Sequence, residues 1–148
     1  SVDVPLRELF THPTVSTFAD ALYNQAETVG HPNLVPIRPN GTLRPLFLIH
    51  PSAGEVGYVR AMAQWLDIKL PIYGLAARGL LKGETPLRTI EAMAALYIQA
   101  IRHVQPRGPY RVAGYSFGGT VAYEIANQLI GADETVEFFG LIDTGSGY

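Results

Sequence analysis

The sequence predicts an α/β fold in which a mostly parallel sheet carries helices on both faces. Two patterns and a composition point there. Short, continuous apolar runs of the kind that fill a strand buried on both sides alternate with longer runs whose apolar residues recur at helical spacing. Of the 148 residues, 47% are hydrophobic and 16% charged, which suits a globular core. Strands alternating with helices favour parallel pairing through right-handed crossovers. One domain of this length buries roughly two-thirds of its unfolded surface.

The elements follow in order. "PLFLIH", Pro45 to His50, is the first strand, and "GYVRAMAQWL" after it fits a helix. "LPIYGL", Leu70 to Leu75, is the second strand. Ile90, Met93, Ala94, Tyr97, Ile98 and Ile101 then share one helical face, in a helix begun near Thr89 and stopped before Pro106. "YRVAG" is the third strand, followed by a helix whose Val121, Ala122, Ile125, Ala126 and Leu129 line one side until Gly131. "VEFFGLID", Val136 to Asp143, is the fourth. A sheet cut after it exposes an apolar edge, so self-association is expected.

The N-terminus differs. Leu6, Leu9 and Phe10, then Val15, Phe18, Ala19 and Leu22 after a capping Thr14, form a helical piece over residues 1–23 with too little apolar surface to fold alone. Residues 24–34, polar and containing Gly30 and Pro32, are expected to be a linker. Residues 35–148 then form the α/β unit.

Several functions are disfavoured at once. A net charge of −2 gives no attraction to nucleic acid or anionic lipid. The chain has no cysteine, which removes disulfides, thiolate catalysis and cysteine-held metals. No apolar run reaches the roughly 20 residues that span a bilayer, and no signal peptide is evident. A cytoplasmic protein without a bound metal is expected.

Three stretches fall at carboxyl ends of strands, where active groups of parallel sheets collect: "HPSAG", "GYSFG" and "DTG". Gly114, Ser116 and Gly118 form a G-x-S-x-G pattern between a strand and a helix. This is the context of a nucleophile elbow, whose sharp turn tolerates no bulky neighbours and lifts the serine oxygen above the sheet. The alternative is a solvent serine in a glycine-rich helix entry. A nucleophilic Ser116 needs two oxyanion donors, a carboxylate and a base. The backbone N–H groups of Phe117, at a helix start, and of Ser52, in a loop turned at Gly54, fit the first role. Asp143 fits the carboxylate, in the Ser, Asp, His order of α/β-hydrolases, or serves as a turn residue. No histidine follows it. His12, His31, His50 and His103 all precede Ser116. His50 is expected to hydrogen-bond its own loop, and His103 to be a last-turn residue favoured by the helix dipole.

Together "LVPIRPNGTLRPLFLIHPSAG", "LPIYGLAARGL", "QPRGPYRVAGYSFGGTVAYEIA" and "FFGLIDT" resemble, in order, the thioesterase domains that end nonribosomal peptide synthetases. Polyketide and fatty-acid synthase thioesterases share much of the pattern. The resemblance implies an α/β-hydrolase-type sheet truncated after the triad-aspartate strand. It implies Ser116 as the acyl-enzyme nucleophile, Asp143 as its aspartate, and the Ser52 and Phe117 amides as the oxyanion hole. A lid and a catalytic histidine would lie downstream. The segment "SVDVPLRELFTHPTVSTFADAL" is similar to the end of a peptidyl carrier domain. The implied substrate is therefore an acyl or peptidyl chain on a phosphopantetheine arm of an upstream carrier, released by hydrolysis or macrocyclisation, with no cofactor bound directly. Because the catalytic histidine is missing, the chain as it stands is expected to be inactive by itself, a catalytically silent half-domain or interaction module. "DTGS" at Asp143 also resembles an aspartic-protease motif, but those enzymes need two such copies in an all-β fold.

Overall fold

The computed structural model describes residues 30–79 and 83–145. The expected helical piece at 1–23, most of the linker and the last three residues of the "GSGY" tail lie outside them. Within them the order is β1 (Leu34–Arg38), β2 (Leu46–Ile49), α1 (Gly57–Ala63), β3 (Ile72–Leu75), α2 (Ile90–Val104), β4 (Tyr110–Tyr115), α3 (Phe117–Gly131) and β5 (Val136–Ile142).

The five strands form one sheet in the order β1-β3-β2-β4-β5. All neighbours are parallel except β1, which runs antiparallel to β3. The four strands expected from the sequence are present, and β1 is an addition. Its Pro36 cannot donate to a ladder and is tolerated because β1 lies at the sheet's edge. The last residues read as linker are held in place: Asn33 is buried and donates from Nδ2 to the Ala76 carbonyl at 3.0 Å, and Leu34 begins β1.

Alternation along each strand builds two cores, one on either face. Phe47 and Ile49 of β2 and Val112 of β4 pack against Tyr97, Ile98 and Ile101 of α2 and Val121, Ile125 and Leu129 of α3. Leu46 and Leu48 point the other way, with Ile72 and Ala113, onto Val56 and Val59. Each fully buried Leu, Ile or Val is worth about 2 kcal/mol by area transferred from water.

The expected helix caps hold for α2, where the Thr89 hydroxyl accepts from the Ala92 N–H at 3.2 Å. α1 is shorter than expected, ending at Ala63 and leaving Trp65 84% exposed. The Arg38 guanidinium explains the stop. It donates to the carbonyls of Ala63 (2.8 Å), Leu66, Asp67 and Leu70 (3.0 Å), taking over acceptors that a continuing helix would have used.

Beyond β5 the sheet has no further neighbour among the described residues. Phe138, Phe139 and Leu141 are exposed along it, and Tyr123 of α3 leaves its ring 6.1 Å from that of Phe139. This is the apolar edge expected from the sequence.

Candidate active site

The loops after β2, β4 and β5 lie side by side at the carboxyl end of the sheet, because Ile49 pairs with Gly114 and Gly114 with Leu141. This brings the loop of His50 to Gly54, Ser116, and Asp143 to one crest.

Ser116 follows β4 directly and precedes α3, with φ 53° and ψ −123°. For a residue with a Cβ this is a strained conformation. It is held from three sides. The Ser116 N–H donates to the Ile142 carbonyl at 2.8 Å, and its own carbonyl accepts from the Gly119 N–H (2.9 Å) and the Thr144 hydroxyl (3.2 Å). Close approach explains the glycines around it. A Cβ on Gly114 would overlap the Gly118 carbonyl, and one on Gly118 would overlap the carbonyls of Ile49 and His50. The glycine-flanked turn anticipated from the sequence is therefore demanded by the packing of α3 against β2 and β4.

Phe117 is the first residue of α3 and its N–H is one of the helix's unpaired N-terminal donors. Ser52 is exposed in the loop after β2. There Pro51's carbonyl accepts from the Gly54 N–H at 2.9 Å, and Gly54, at φ 84°, passes its own carbonyl to the Ala77 N–H at 2.9 Å. Asp143 is exposed at the end of β5 with φ 47°, a left-handed conformation that aspartate tolerates.

His50 is 2% exposed and both ring nitrogens are engaged, Nδ1 with the Pro51 carbonyl at 2.7 Å and Nε2 with the Tyr97 hydroxyl at 2.6 Å. A carbonyl only accepts, so Nδ1 carries the proton and Nε2 accepts from Tyr97. Burial holds the His50 pKa below its usual value, opposed by its bond to Pro51. It binds its loop, as expected, and has no lone pair to offer as a base. His103 lies in the last turn of α2, also as expected, with the His31 ring 6.3 Å from its own. Burial, then the neighbouring His103, lowers the His31 pKa.

Three further residues shape the crest. Tyr58 donates to the Ile49 carbonyl at 2.6 Å and its ring lies 5.4 Å from that of Tyr115, next to Ser116. Burial pushes its phenol well above the usual value, so it stays a donor. Tyr97 was legible only as an apolar helix position, and Thr144 only as a neighbour of Asp143. Among the described residues no cluster of His, Cys, Asp or Glu is arranged to hold a metal ion. None of the described helices is long and apolar enough to cross a membrane.

The chain resembles known proteins in sequence and in fold. A family profile described as thioesterase domain matches residues 44–146. The nonribosomal peptide synthetase btyA of Aspergillus terreus is 42% identical over 144 residues, 95% of this chain and 15% of its own length. The chain thus spans only a small part of the synthetases it matches. A solved four-domain nonribosomal peptide synthetase superposes with a TM-score of 0.76 at 28% identity, over 97% of this chain and 11% of the other. The NocB thioesterase domain, solved as a covalent complex with a fluorophosphonate nocardicin G analogue, superposes at 0.70 and 30% identity, over 75% of this chain and 50% of the other. With its α/β sheet and the profile spanning most of its length, the chain belongs to the thioesterase domain family.

Proposed function

We propose that Ser116 is the acyl-accepting nucleophile of a thioesterase that releases an acyl or peptidyl chain from a carrier-bound thioester, by hydrolysis or macrocyclisation, in nonribosomal peptide synthesis. The observation that carries this is the backbone of Ser116. A non-glycine residue at φ 53° and ψ −123°, kept there by hydrogen bonds with Ile142, Gly119 and Thr144, is strain retained for the presentation of its side chain.

In the proposed step the Ser116 oxygen adds to the thioester carbonyl and its proton passes to a base. The tetrahedral oxyanion is met by the N–H groups of Ser52 and Phe117. Collapse breaks the C–S bond and the phosphopantetheine thiol leaves with a proton. Each oxyanion donor is worth about 3 kcal/mol in the transition state. Asp143 orients the base, which we assign to a histidine later in the complete domain. The upstream partner is a peptidyl carrier domain, whose C-terminal end we assign to residues 1–23, joined by a linker that ends before Asn33. The reaction is placed in the cytoplasm, and the open edge at β5 is available for self-association. One observation favours a second reading, a catalytically silent half-domain: the two ring nitrogens of His50 are already taken.

Intact-protein mass and thiol release after incubation with S-phenyl thioacetate, for this chain and its Ser116→Ala variant, separate the two. Because thiophenolate is a good leaving group, a slow adduct, lost in the variant, is expected even without the downstream base. Folded protein that forms no adduct would overturn Ser116 as the nucleophile of this chain and leave the silent half-domain.

A further inference from the structure

We infer that Tyr97 and His50 are positioning residues that aim the Ser52 amide at the developing oxyanion. The inference rests on the proposed role of the Ser52 N–H and adds how that N–H is held.

One peptide unit joins Pro51 to Ser52. Its carbonyl belongs to Pro51 and its N–H to Ser52. The unit is planar, and among the described residues only Gly108-Pro109 is cis, so this carbonyl and N–H point in opposite directions. Whatever fixes the Pro51 carbonyl therefore fixes the direction of the Ser52 N–H. Two donors converge on that carbonyl, the Gly54 N–H at 2.9 Å from within the loop and the His50 Nδ1–H at 2.7 Å from the strand end. The first alone would close a turn that could still rock as a unit. The second ties the turn to β2.

His50 performs this only as the Nδ1–H tautomer. The Pro51 carbonyl favours it and Tyr97 secures it, because the Tyr97 hydroxyl, 2.6 Å from Nε2, donates to a nitrogen that must then be bare. Tyr97 is fully buried in α2 and its ring meets that of His50 edge-on at 5.6 Å, with the Phe117 ring tilted by 36° at 6.2 Å from His50. The Ile49 carbonyl just before His50 is held by the Tyr58 hydroxyl at 2.6 Å. The loop is thus pinned ahead of His50 by α1 and through its ring by α2. The His50 and Ile49 carbonyls abut Gly118, in the first turn of α3 behind Phe117. Both amides of the proposed oxyanion hole consequently take their positions from the same buried imidazole: one through its hydrogen bond, the other through ring packing. A donor set aimed in advance is what makes such a hole effective.

Tyr97→Phe removes one hydroxyl and keeps the ring. Two readouts on the full chain test the inference: the His50 tautomer by ring ¹H–¹⁵N NMR, and the single-turnover rate of Ser116 acylation by S-phenyl thioacetate. Expected are one Nδ1–H tautomer in the wild type, a mixture in Tyr97→Phe, and acylation slower by about tenfold, less than the loss of a whole oxyanion donor. His50→Asn, which retains a donor near the Nδ1 position, should acylate faster than His50→Leu. A mixed tautomer in the wild type, or an unchanged rate in folded Tyr97→Phe, overturns the inference while leaving Ser116 as nucleophile. A folded wild type that forms no adduct overturns Ser116 as the nucleophile of this chain, and the inference falls with it.

Discussion

The hydroxyl of Thr144 lies 3.2 Å from the carbonyl oxygen of Ser116, so the turn that carries Asp143 is hydrogen-bonded to the elbow that carries the serine. Gly119 makes this approach possible, since a Cβ there would overlap the Thr144 side chain. The crest is thus a set of mutually fitted loops, and its glycines can be ranked against one elsewhere in the chain by what surrounds them.

Gly114→Ala should destabilise the chain by about 3 kcal/mol or more, because its new Cβ meets rigid backbone at Gly118. Gly131→Ala, at the last residue of α3 with open space around it, should be neutral or stabilise by up to about 1 kcal/mol. Urea denaturation followed by circular dichroism measures both, and equal effects would refute the ranking.

Acid should weaken the fold from about pH 6.5 downward. His50 and His31 both have pKa values below the unfolded 6.5, so under mildly acidic conditions the unfolded chain takes up protons that the folded chain refuses. Unfolding then binds protons and stability falls with pH. His50→Asn should flatten this dependence in urea midpoints taken between pH 5 and 8. A slope unchanged in the variant would assign the effect elsewhere.

Loss of the Tyr58 hydroxyl strips a donor from the Ile49 carbonyl, and Tyr58→Phe should cost about 1 to 3 kcal/mol. Alkaline titration of phenol absorbance offers a separate check. Burial raises both Tyr58 and Tyr73, so these two should ionise later than a free phenol. Above about pH 10 the unfolded chain ionises them first and stability declines. Ionisation of Tyr58 and Tyr73 in folded protein at the pH of a free phenol would contradict the burial.

Phe138 and Leu141, 49% and 53% exposed on the edge strand, should draw copies together as concentration rises. Replacing both with lysine should keep the chain monomeric by light scattering. A wild type that remains monomeric across the same range would show the edge to be tolerated.

The parts legible in the sequence were those whose signal is steric or apolar. β2, β3, β4 and β5 announce themselves by continuous apolar runs, and Ser116 by the glycines that its neighbours' packing requires. β1 escaped because Pro36 and Arg38 break its apolar run, while its pairing to β3 is made by backbone groups. The end of α1 escaped because it depends on Arg38, distant in sequence. Tyr97 was placed on the buried face of its helix, but helical periodicity counts a tyrosine as an apolar ring and is blind to where its hydroxyl points. The same blindness hid Thr144. Polar contacts between elements depend on a register that exists only after folding.

The guanidinium of Arg38 has a consequence for how the molecule opens. One side chain from the outermost strand satisfies carbonyls at the end of α1 and in the turn leading to β3. Detaching that strand would uncap the helix end and loosen the turn together, so the edge cannot fray by itself. Amide hydrogens of β1 and of residues 63–70 should therefore exchange with solvent as one cooperative unit, at a common free energy of opening.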